Sequence, residues 1–255
     1  MAARGFVALT FDPSFQGESG GEPRHLEDRA ARVEDIHCAV DYLMTLPFID
    51  EARVGLLAIC AGGGYGITAA LTERRFKAIG TVVASNIGAA FRKMQPDGDL
   101  LGTLEAADKQ RTAEARGAGL RLDPWIPDSL VEAKEQGATD PDLLQAVYFY
   151  RESPYRHPNS PNRLLFRSNA YLIGFDAFNL VPELLTQPLQ VIVAGRRGAT
   201  GQYEDGEHLF ALSPAADKDF FVVEDAGHYD MYYVPEYVDK AIERLTLFYS
   251  KHIGE

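Results

Sequence analysis

Cysteine is scarce in this sequence, which has only Cys38 and Cys60 in 255 residues. Two cysteines cannot form the disulfide framework that stabilises small secreted domains, and they do not supply the clustered thiols of a structural zinc site. We therefore expect neither disulfides nor a bound metal.

Basic clusters and long apolar runs are also lacking. The formal net charge is -12, and because phosphate backbones attract clustered Lys and Arg, we expect no nucleic-acid partner. No apolar run approaches the roughly 18 residues that a membrane span needs, and the first residues lack the layout of a signal peptide. These absences predict a cytoplasmic protein without a membrane partner.

The sequence does contain short apolar runs that alternate with amphipathic segments. Strands are predicted at residues 6–11, 54–59, 78–84, 189–194 and 220–223. Helices are predicted at residues 28–44, 61–72 and 235–251. Because strands that alternate with helices are joined by right-handed crossovers, the pattern predicts an α/β fold with a mostly parallel central sheet.

Residues 87–185 interrupt this alternation with charged helical stretches that prolines break repeatedly. We predict that they form a helical lid inserted into an α/β core made of residues 1–86 and 186–255. Aromatic side chains of this insert would either line a pocket for a small-molecule substrate or pack as core. They are Trp125, Tyr148, Phe149 and Tyr150.

A run of small residues, Ala58-Ile59-Cys60-Ala61-Gly62, joins the predicted strand 54–59 to the following helix. A nucleophile at such a strand-to-helix turn has a strained backbone, so the residues two before and two after it must be small. The positive end of the helix would lower the pKa of a thiol at position 60. Cys60 is therefore the candidate nucleophile, and the N–H of Ala61 is the candidate oxyanion donor.

Two other interpretations of this segment are that Cys60 is a packed core residue or that the glycines bind a phosphate. The spacing of Gly62, Gly63, Gly64 and Gly66 does not fit the G-x-G-x-x-G fingerprint of a dinucleotide site, so we expect no cofactor. Cys38 lies within a predicted amphipathic helix, and we expect it to be a small buried hydrophobe.

His228 follows the apolar run 220–223 and a short acidic loop that contains Gly227. A histidine in a loop after the last strand is the partner expected for an elbow nucleophile, because an imidazole that titrates near neutral pH can activate a thiol and protonate a leaving group. We predict that His228 is the catalytic base and acid.

The third member, an acid, is expected just after the strand 189–194. Residues 196–201 contain no carboxylate, so the candidate is Asp205, in an acidic cluster with Glu204 and Glu207 that surface solvation explains equally well. Asp176 and Asp230 are the alternatives.

These motifs resemble those of a known family. The segment Phe11-Asp12 to Gly17-Glu18-Ser19, the Cys60 elbow and Gly227-His228-Tyr229-Asp230 are similar to the dienelactone-hydrolase-like branch of the α/β-hydrolases. The resemblance covers nearly the whole chain. It implies hydrolysis of a carboxylic ester, lactone or thioester through an acyl-enzyme intermediate.

The chain departs from this family pattern at its beginning as well as at the acid position. A full α/β-hydrolase has about three strands and a helix before the strand predicted here at 6–11, and the loop before that helix supplies the second oxyanion N–H. We expect these N-terminal strands to be missing. An exposed strand edge favours self-association, so we also expect a homo-oligomer.

A rival hypothesis follows from the missing donor and the missing acid: a non-catalytic α/β-hydrolase-like domain that binds a small molecule or another protein. An acyltransferase that uses the same acyl-enzyme is a further alternative, which only the acceptor distinguishes from a hydrolase.

Overall fold

The computed structural model describes residues 1–254, except for the side chain of Pro96. Its strands, in chain order β1 to β6, are Val54–Ile59, Phe76–Val82, Leu122–Asp123, Leu164–Leu165, Leu189–Ala194 and Lys218–Val223. Its α-helices, in chain order α1 to α11, are Arg29–Met44, Ala61–Thr72, Ile87–Lys93, Leu100–Ala115, Leu130–Glu135, Pro141–Val147, Ser168–Ile173, Val181–Leu184, Gln202–Leu212, Asp230–Tyr233 and Pro235–Ile253. Short 3-10 helices cover Ala2–Arg4, Glu51–Arg53 and Pro96–Gly98, and a π-helix covers Tyr148–Glu152.

The chain divides into two compact units. The first contains residues 1–11, 33–86 and 177–254, and the second contains residues 12–32 and 87–176. Residues 12–32, which were predicted to belong to the α/β core, group with the helical second unit.

The first unit is built on a four-stranded sheet with the order β1-β2-β5-β6, in which every pair is parallel. The predicted α/β class with a parallel central sheet is confirmed. The strand bounds differ slightly from the prediction, since β2 and β6 both begin two residues earlier than expected. All six residues of β5 are buried, as expected for a central strand of a parallel sheet.

The prediction of a strand at residues 6–11 is wrong. This segment has no strand conformation, and the side chain of Val7 is 64% exposed. A continuous apolar run indicates burial only when covering elements lie on both faces, and hydrophobicity alone does not say whether a neighbouring strand is present. Only Phe6 of this segment packs on the core, where its ring meets that of Tyr249 edge-on at 6.1 Å.

Helix α11 packs on the sheet through an apolar stripe, of which Leu245 and Tyr249 are buried. Each such side chain contributes about 1.5–3 kcal/mol by leaving water. A Cβ at Gly80 of β2 would lie 2.6 Å from the Tyr249 hydroxyl, so glycine is what allows this close contact. The Tyr249 hydroxyl donates to the carbonyl oxygen of Leu56, and burial raises its pKa.

The second unit contains α3 to α7, the π-helix and the two-stranded antiparallel pair β3-β4. Its helix α3 packs closely on the end of α7: a Cβ at Gly88 would lie 1.9 Å from the carbonyl oxygen of Phe175. The turn predicted at Asp12 is present, since its carboxylate accepts the N–H of Glu18 at 2.7 Å and Gly17 has a φ of 50°.

Among the described residues, no helix combines the length and the apolar character that crossing a bilayer requires.

Candidate active site

Cys60 lies at a tight turn between β1, which ends at Ile59, and α2, which begins at Ala61. Its backbone has φ 53° and ψ -129°, a region that residues with side chains rarely adopt. Such a conformation costs about 1–3 kcal/mol and persists only where surrounding contacts enforce it. The predicted elbow geometry of the Cys60 backbone is therefore present.

Hydrogen bonds from the neighbouring strand hold this strained turn. The Cys60 N–H donates to the carbonyl oxygen of Val82 at 3.2 Å, and the Ser85 N–H donates to the carbonyl oxygen of Cys60 at 2.9 Å. The chain after β2 is strained as well, because Val83 has a φ of 43° although its side chain is β-branched. Cys60 and Val83 thus each follow directly after one of two adjacent strands, so the strained turn lies beside a second strained segment.

The glycines that must be small for steric reasons are not the one predicted from the sequence, Gly62. A Cβ at Gly62 would meet nothing within 4 Å, so the expectation that Gly62 must be small is wrong. At Gly63 a Cβ would lie 2.3 Å from the Cβ of Ala84, and at Gly66 it would lie 2.7 Å from that of Ala58. Glycine is required where α2 approaches the two strands, rather than two residues beyond the cysteine.

His228 lies in the loop between β6 and α10 and is fully buried. Its Nε2 is 3.3 Å from the Cys60 sulfur, so the structure brings together the two residues predicted as nucleophile and base. The loop is held by Asp230, whose carboxylate accepts the Gly227 N–H at 2.9 Å and pairs with Arg196.

Tyr232 is a third group at this site, and no motif of the sequence indicated it. Its hydroxyl oxygen is 3.0 Å from Nε2 of His228, and as a hydrogen-bond donor it lowers the pKa of the Cys60 thiol. His228 lies two residues before α10 and Tyr232 lies within it, so the two are four residues apart, the spacing at which helical side chains meet. This four-residue spacing is the one feature of the sequence that could have indicated the contact between the two side chains.

Burial raises the pKa of the Cys60 thiol, but opposing contacts outweigh it. The positive charge of His228, the hydrogen bonds from His228 and Tyr232, and the N–H of Ala61 all favour the thiolate, and together they bring the pKa below its ordinary value. The Ala61 N–H is at the beginning of α2, where the helix dipole also favours an anion. The site can therefore present a nucleophilic sulfur.

Nδ1 of His228 is buried and has no hydrogen-bond partner within residues 1–254. Asp205, the predicted acid, is buried in the first turn of α9 after β5, and its Oδ2 accepts the backbone N–H of Asn86 at 2.7 Å. The structure thus places Asp205 in the same unit as Cys60 and His228 without a hydrogen bond from Nδ1. Asp230 is engaged with Arg196 and Gly227, and Asp176 belongs to the second unit.

The aromatic residues predicted to line a pocket are divided among several environments within the second unit. Trp125 packs edge-on against Phe91 with ring centres 5.6 Å apart, and Phe149 packs in the same way on Tyr150 at 5.0 Å. Tyr150 lines a cavity together with Arg151, Arg156 and His157. Tyr148 is 38% exposed.

The prediction that Cys38 is buried is wrong, because its side chain is exposed. It lies on the solvent-facing side of α1, where its sulfur is 3.8 Å from Glu34 Oε1. No group of three or more His, Cys, Asp or Glu in the described part of the chain is arranged to hold a metal ion.

Comparison with known proteins places this geometry in a family. The family model described as the alpha/beta hydrolase family matches residues 1–241. The uncharacterized protein YcjY of Escherichia coli is 37% identical over 255 residues, covering 98% of this chain and 81% of that protein. The polyketide transferase grgF of Penicillium is 34% identical over 98% of this chain and 80% of its own length. The thiohydrolase aneE of Aspergillus aculeatus is 27% identical over 89% of this chain and 71% of its own length.

A solved structure agrees with this assignment. The crystal structure of hypothetical protein PA2218 from Pseudomonas aeruginosa superposes with a TM-score of 0.86 at 26% identity, covering 98% of this chain and 77% of that one. The family model matches most of the chain, and the solved relative shares the overall fold of this protein. This chain belongs to the alpha/beta hydrolase family.

Proposed function

We propose that this protein hydrolyses a carboxylic ester, lactone or thioester through an acyl intermediate on Cys60. The observation that carries the proposal is the 3.3 Å distance between the Cys60 sulfur and Nε2 of His228 at a strained strand-to-helix turn. A thiolate held there beside an imidazolium is an activated nucleophile with its proton donor already in place.

The proposed reaction has two halves. In the first, the Cys60 thiolate adds to the acyl carbon while the carbonyl electrons move to the oxygen, which the Ala61 N–H stabilises. The intermediate then expels the leaving group, which takes the proton from Nε2 of His228. In the second half, neutral His228 takes a proton from water as the water oxygen adds to the acyl carbon, and the carbon–sulfur bond breaks to regenerate the thiolate.

Within this substrate class, a thioester suits a cysteine nucleophile best. The intermediate carries two possible leaving groups, and the weaker base leaves faster. A thiolate leaving group competes evenly with Cys60, whereas an alkoxide is the stronger base and the intermediate then tends to expel Cys60 again. The similarity to a protein named as a thiohydrolase supports the same choice.

We propose Asp205 as the acid of the site. It is a buried carboxylate in the first turn of the helix that follows β5, beyond the position just after the strand where the family places its acid. Its proposed role is to orient the imidazole of His228, although Nδ1 does not donate a hydrogen bond to it in this structure.

Two alternatives are each favoured by one observation. The buried Nδ1 of His228 lacks a hydrogen-bond partner in the described residues, which favours a domain that binds a small molecule without turnover. The similarity to a protein named as a polyketide transferase favours acyl transfer to an acceptor other than water.

One assay separates these functions. In a Cys38→Ser background, where Cys60 is the only thiol, the loss of a short-chain acyl-N-acetylcysteamine thioester is followed by its absorbance, beside the matched oxygen ester. We expect the thioester to react faster by about tenfold or more, because its leaving group is the weaker base. Alkylation of Cys60 with iodoacetamide or the change Cys60→Ala should reduce turnover by about a thousandfold or more.

Turnover that survives alkylation of Cys60 would overturn the proposal. No turnover of either ester, together with an unreactive thiol, would support the binding domain. An acyl product formed on an added alcohol or thiol, identified by mass, would indicate a transferase.

Three finer assignments remain predictions. We propose that the protein belongs to the dienelactone-hydrolase-like branch, because of its Cys60 elbow and its Gly227-His228 loop. We propose a cytoplasmic location because its two cysteines are not joined in a disulfide. We propose a homo-oligomer because no strand within residues 1–254 pairs with the outer edge of β1.

A further inference from the structure

Tyr232 contacts both reacting groups of the candidate site. Its hydroxyl oxygen is 3.0 Å from Nε2 of His228, a shorter distance than the 3.3 Å from Nε2 to the Cys60 sulfur. As a hydrogen-bond donor, the same hydroxyl also lowers the pKa of the Cys60 thiol. Nε2 of His228 therefore lies within hydrogen-bonding distance of both the hydroxyl and the sulfur, and the three polar atoms form one cluster.

The number of hydrogens in this group determines the direction of each bond. A charged imidazole has one hydrogen on Nε2, and a phenol has one hydrogen together with acceptor lone pairs. A thiolate has no hydrogen and can only accept. When His228 is charged, its Nε2–H therefore faces Tyr232 and Cys60 as acceptors, and the hydrogen of the Tyr232 hydroxyl is donated to the sulfur.

The other side of the imidazole does not provide comparable support. Nδ1 of His228 is buried without a hydrogen-bond partner among the described residues, and the Asp205 carboxylate accepts the N–H of Asn86 instead. In a serine or cysteine triad, an acid at this nitrogen stabilises the charged imidazole. In this protein the stabilisation acts on the sulfur instead. The Tyr232 hydroxyl and the Ala61 N–H both lower the pKa of the Cys60 thiol.

We propose that the Tyr232 hydroxyl is a catalytic group of this site, which holds Cys60 as the thiolate by donating a hydrogen bond to its sulfur. The proposal rests on the proposed function in assigning Cys60 as nucleophile. Tyr232 keeps its own proton throughout, and the proton that moves to the leaving group comes from His228. When Cys60 becomes acylated, its sulfur loses the negative charge and this hydrogen bond weakens. When the carbon–sulfur bond breaks in the second half-reaction, the bond strengthens again and stabilises the departing thiolate.

The fold keeps the hydroxyl in place through the short helix α10. Asp230, at the start of that helix, is fixed by Arg196 and by the Gly227 N–H. The Tyr232 ring also packs on its neighbours, with its centre 5.5 Å from that of His228 and 5.2 Å from that of Tyr229. Because phenylalanine would preserve these ring contacts, Tyr232→Phe removes the hydroxyl and leaves the packing.

The test is the pH dependence of Cys60 alkylation. In the Cys38→Ser background, the rate of reaction with iodoacetamide is measured by mass spectrometry from pH 5 to pH 10, and its midpoint reports the ionisation of Cys60. Tyr237→Phe is the matched control, since Tyr237 is also partly buried against the same core cluster. We expect Tyr232→Phe to raise the midpoint by about one pH unit or more, which slows alkylation about tenfold below both midpoints. The Tyr237→Phe profile should match that of the parent.

The plateau rate at alkaline pH serves as the internal check on folding. Equal plateaus show that the thiol is equally accessible in both variants, so a shifted midpoint then reports ionisation alone. A Tyr232→Phe profile that superimposes on the parent profile would overturn the assignment. Because alkylation requires no turnover, this result stands whether or not the protein hydrolyses an ester, and a failure of the proposed function would appear only in the thioester assay.

Discussion

The Oδ2 atom of Asp205 accepts the backbone N–H of Asn86 at 2.7 Å, joining two residues that are 119 positions apart. Asn86 in turn accepts the N–H of Ala177 through its side chain at 3.3 Å. These bonds hold the segment that begins at strained Val83. Ser85 of the same segment donates its N–H to the carbonyl oxygen of Cys60. Asp205 therefore has a structural role that is separate from its proposed role as the acid.

Two variants of Asp205 should separate these roles. Asp205→Asn keeps a side-chain oxygen that can accept the Asn86 N–H but removes the charge. If the charge supports His228, we expect kcat/KM to fall about tenfold or more with little change in Tm. Asp205→Ala should in addition lower the free energy of unfolding by about 1–3 kcal/mol, because a buried N–H loses its partner.

Glu204→Gln is the control for the Asp205 variants. Glu204 neighbours Asp205 in the first turn of α9, but its side chain is 46% exposed and paired with Arg197. The kcat/KM of Glu204→Gln should therefore equal that of the parent protein. Asp205→Asn with unchanged kcat/KM would limit Asp205 to its structural role.

The sequence predicted the pairing of Cys60 with His228 because both positions follow from local patterns, namely an apolar strand before small residues and an apolar strand before a Gly-His loop. The contact of Tyr232 with Nε2 could not be predicted in this way. It depends on the path of the loop after β6, which the Asp230 carboxylate holds by accepting the Gly227 N–H. Residues 6–11 were wrongly predicted as a strand, because their apolar character gives no information about which neighbouring elements cover them.

Gly63 and Gly62 provide a direct test of the packing at the elbow. A Cβ at Gly63 would lie 2.7 Å from the Cα of Ala84, whose backbone cannot move without disturbing the Ser85 contact to Cys60. We expect Gly63→Ala to lower the free energy of unfolding by about 1–3 kcal/mol. Gly62→Ala has open space and should be neutral or stabilising by up to about 1 kcal/mol, through the higher helix propensity of alanine.

Urea unfolding of the two glycine variants beside the parent measures this difference. Equal stabilities of Gly63→Ala and Gly62→Ala would mean that α2 shifts away from Ala84 at no cost. In that case the close approach would not be what requires glycine at the elbow.

Asp230 should affect the His228 loop mainly through the Gly227 N–H. Arg196 is half exposed, and an ion pair in that setting contributes about 0–1 kcal/mol. Asp230→Asn, which can still accept the buried N–H, should therefore be only slightly destabilised. Asp230→Ala should lose about 1–3 kcal/mol of unfolding free energy together with much of its kcat. Equal losses in the two variants, measured by urea unfolding and thioester turnover, would indicate that the Arg196 pair dominates.

The two cysteines should react in an order opposite to their exposure. Local desolvation and the carboxylates of Glu34 and Asp41 raise the pKa of Cys38, whereas the contacts described above lower that of Cys60. A lowered pKa means that the thiolate is present at lower pH, and the thiolate is the species that alkylates. At pH 7, half-buried Cys60 should therefore be labelled by a small reagent such as iodoacetamide before exposed Cys38. The difference between the two labelling rates should narrow as the pH rises and Cys38 ionises.

Peptide mass spectrometry at limiting reagent measures the order in which the two cysteines are labelled. Prior labelling of Cys38 at pH 7 would show that burial of Cys60 outweighs the charge of His228 and the hydrogen bond from Tyr232.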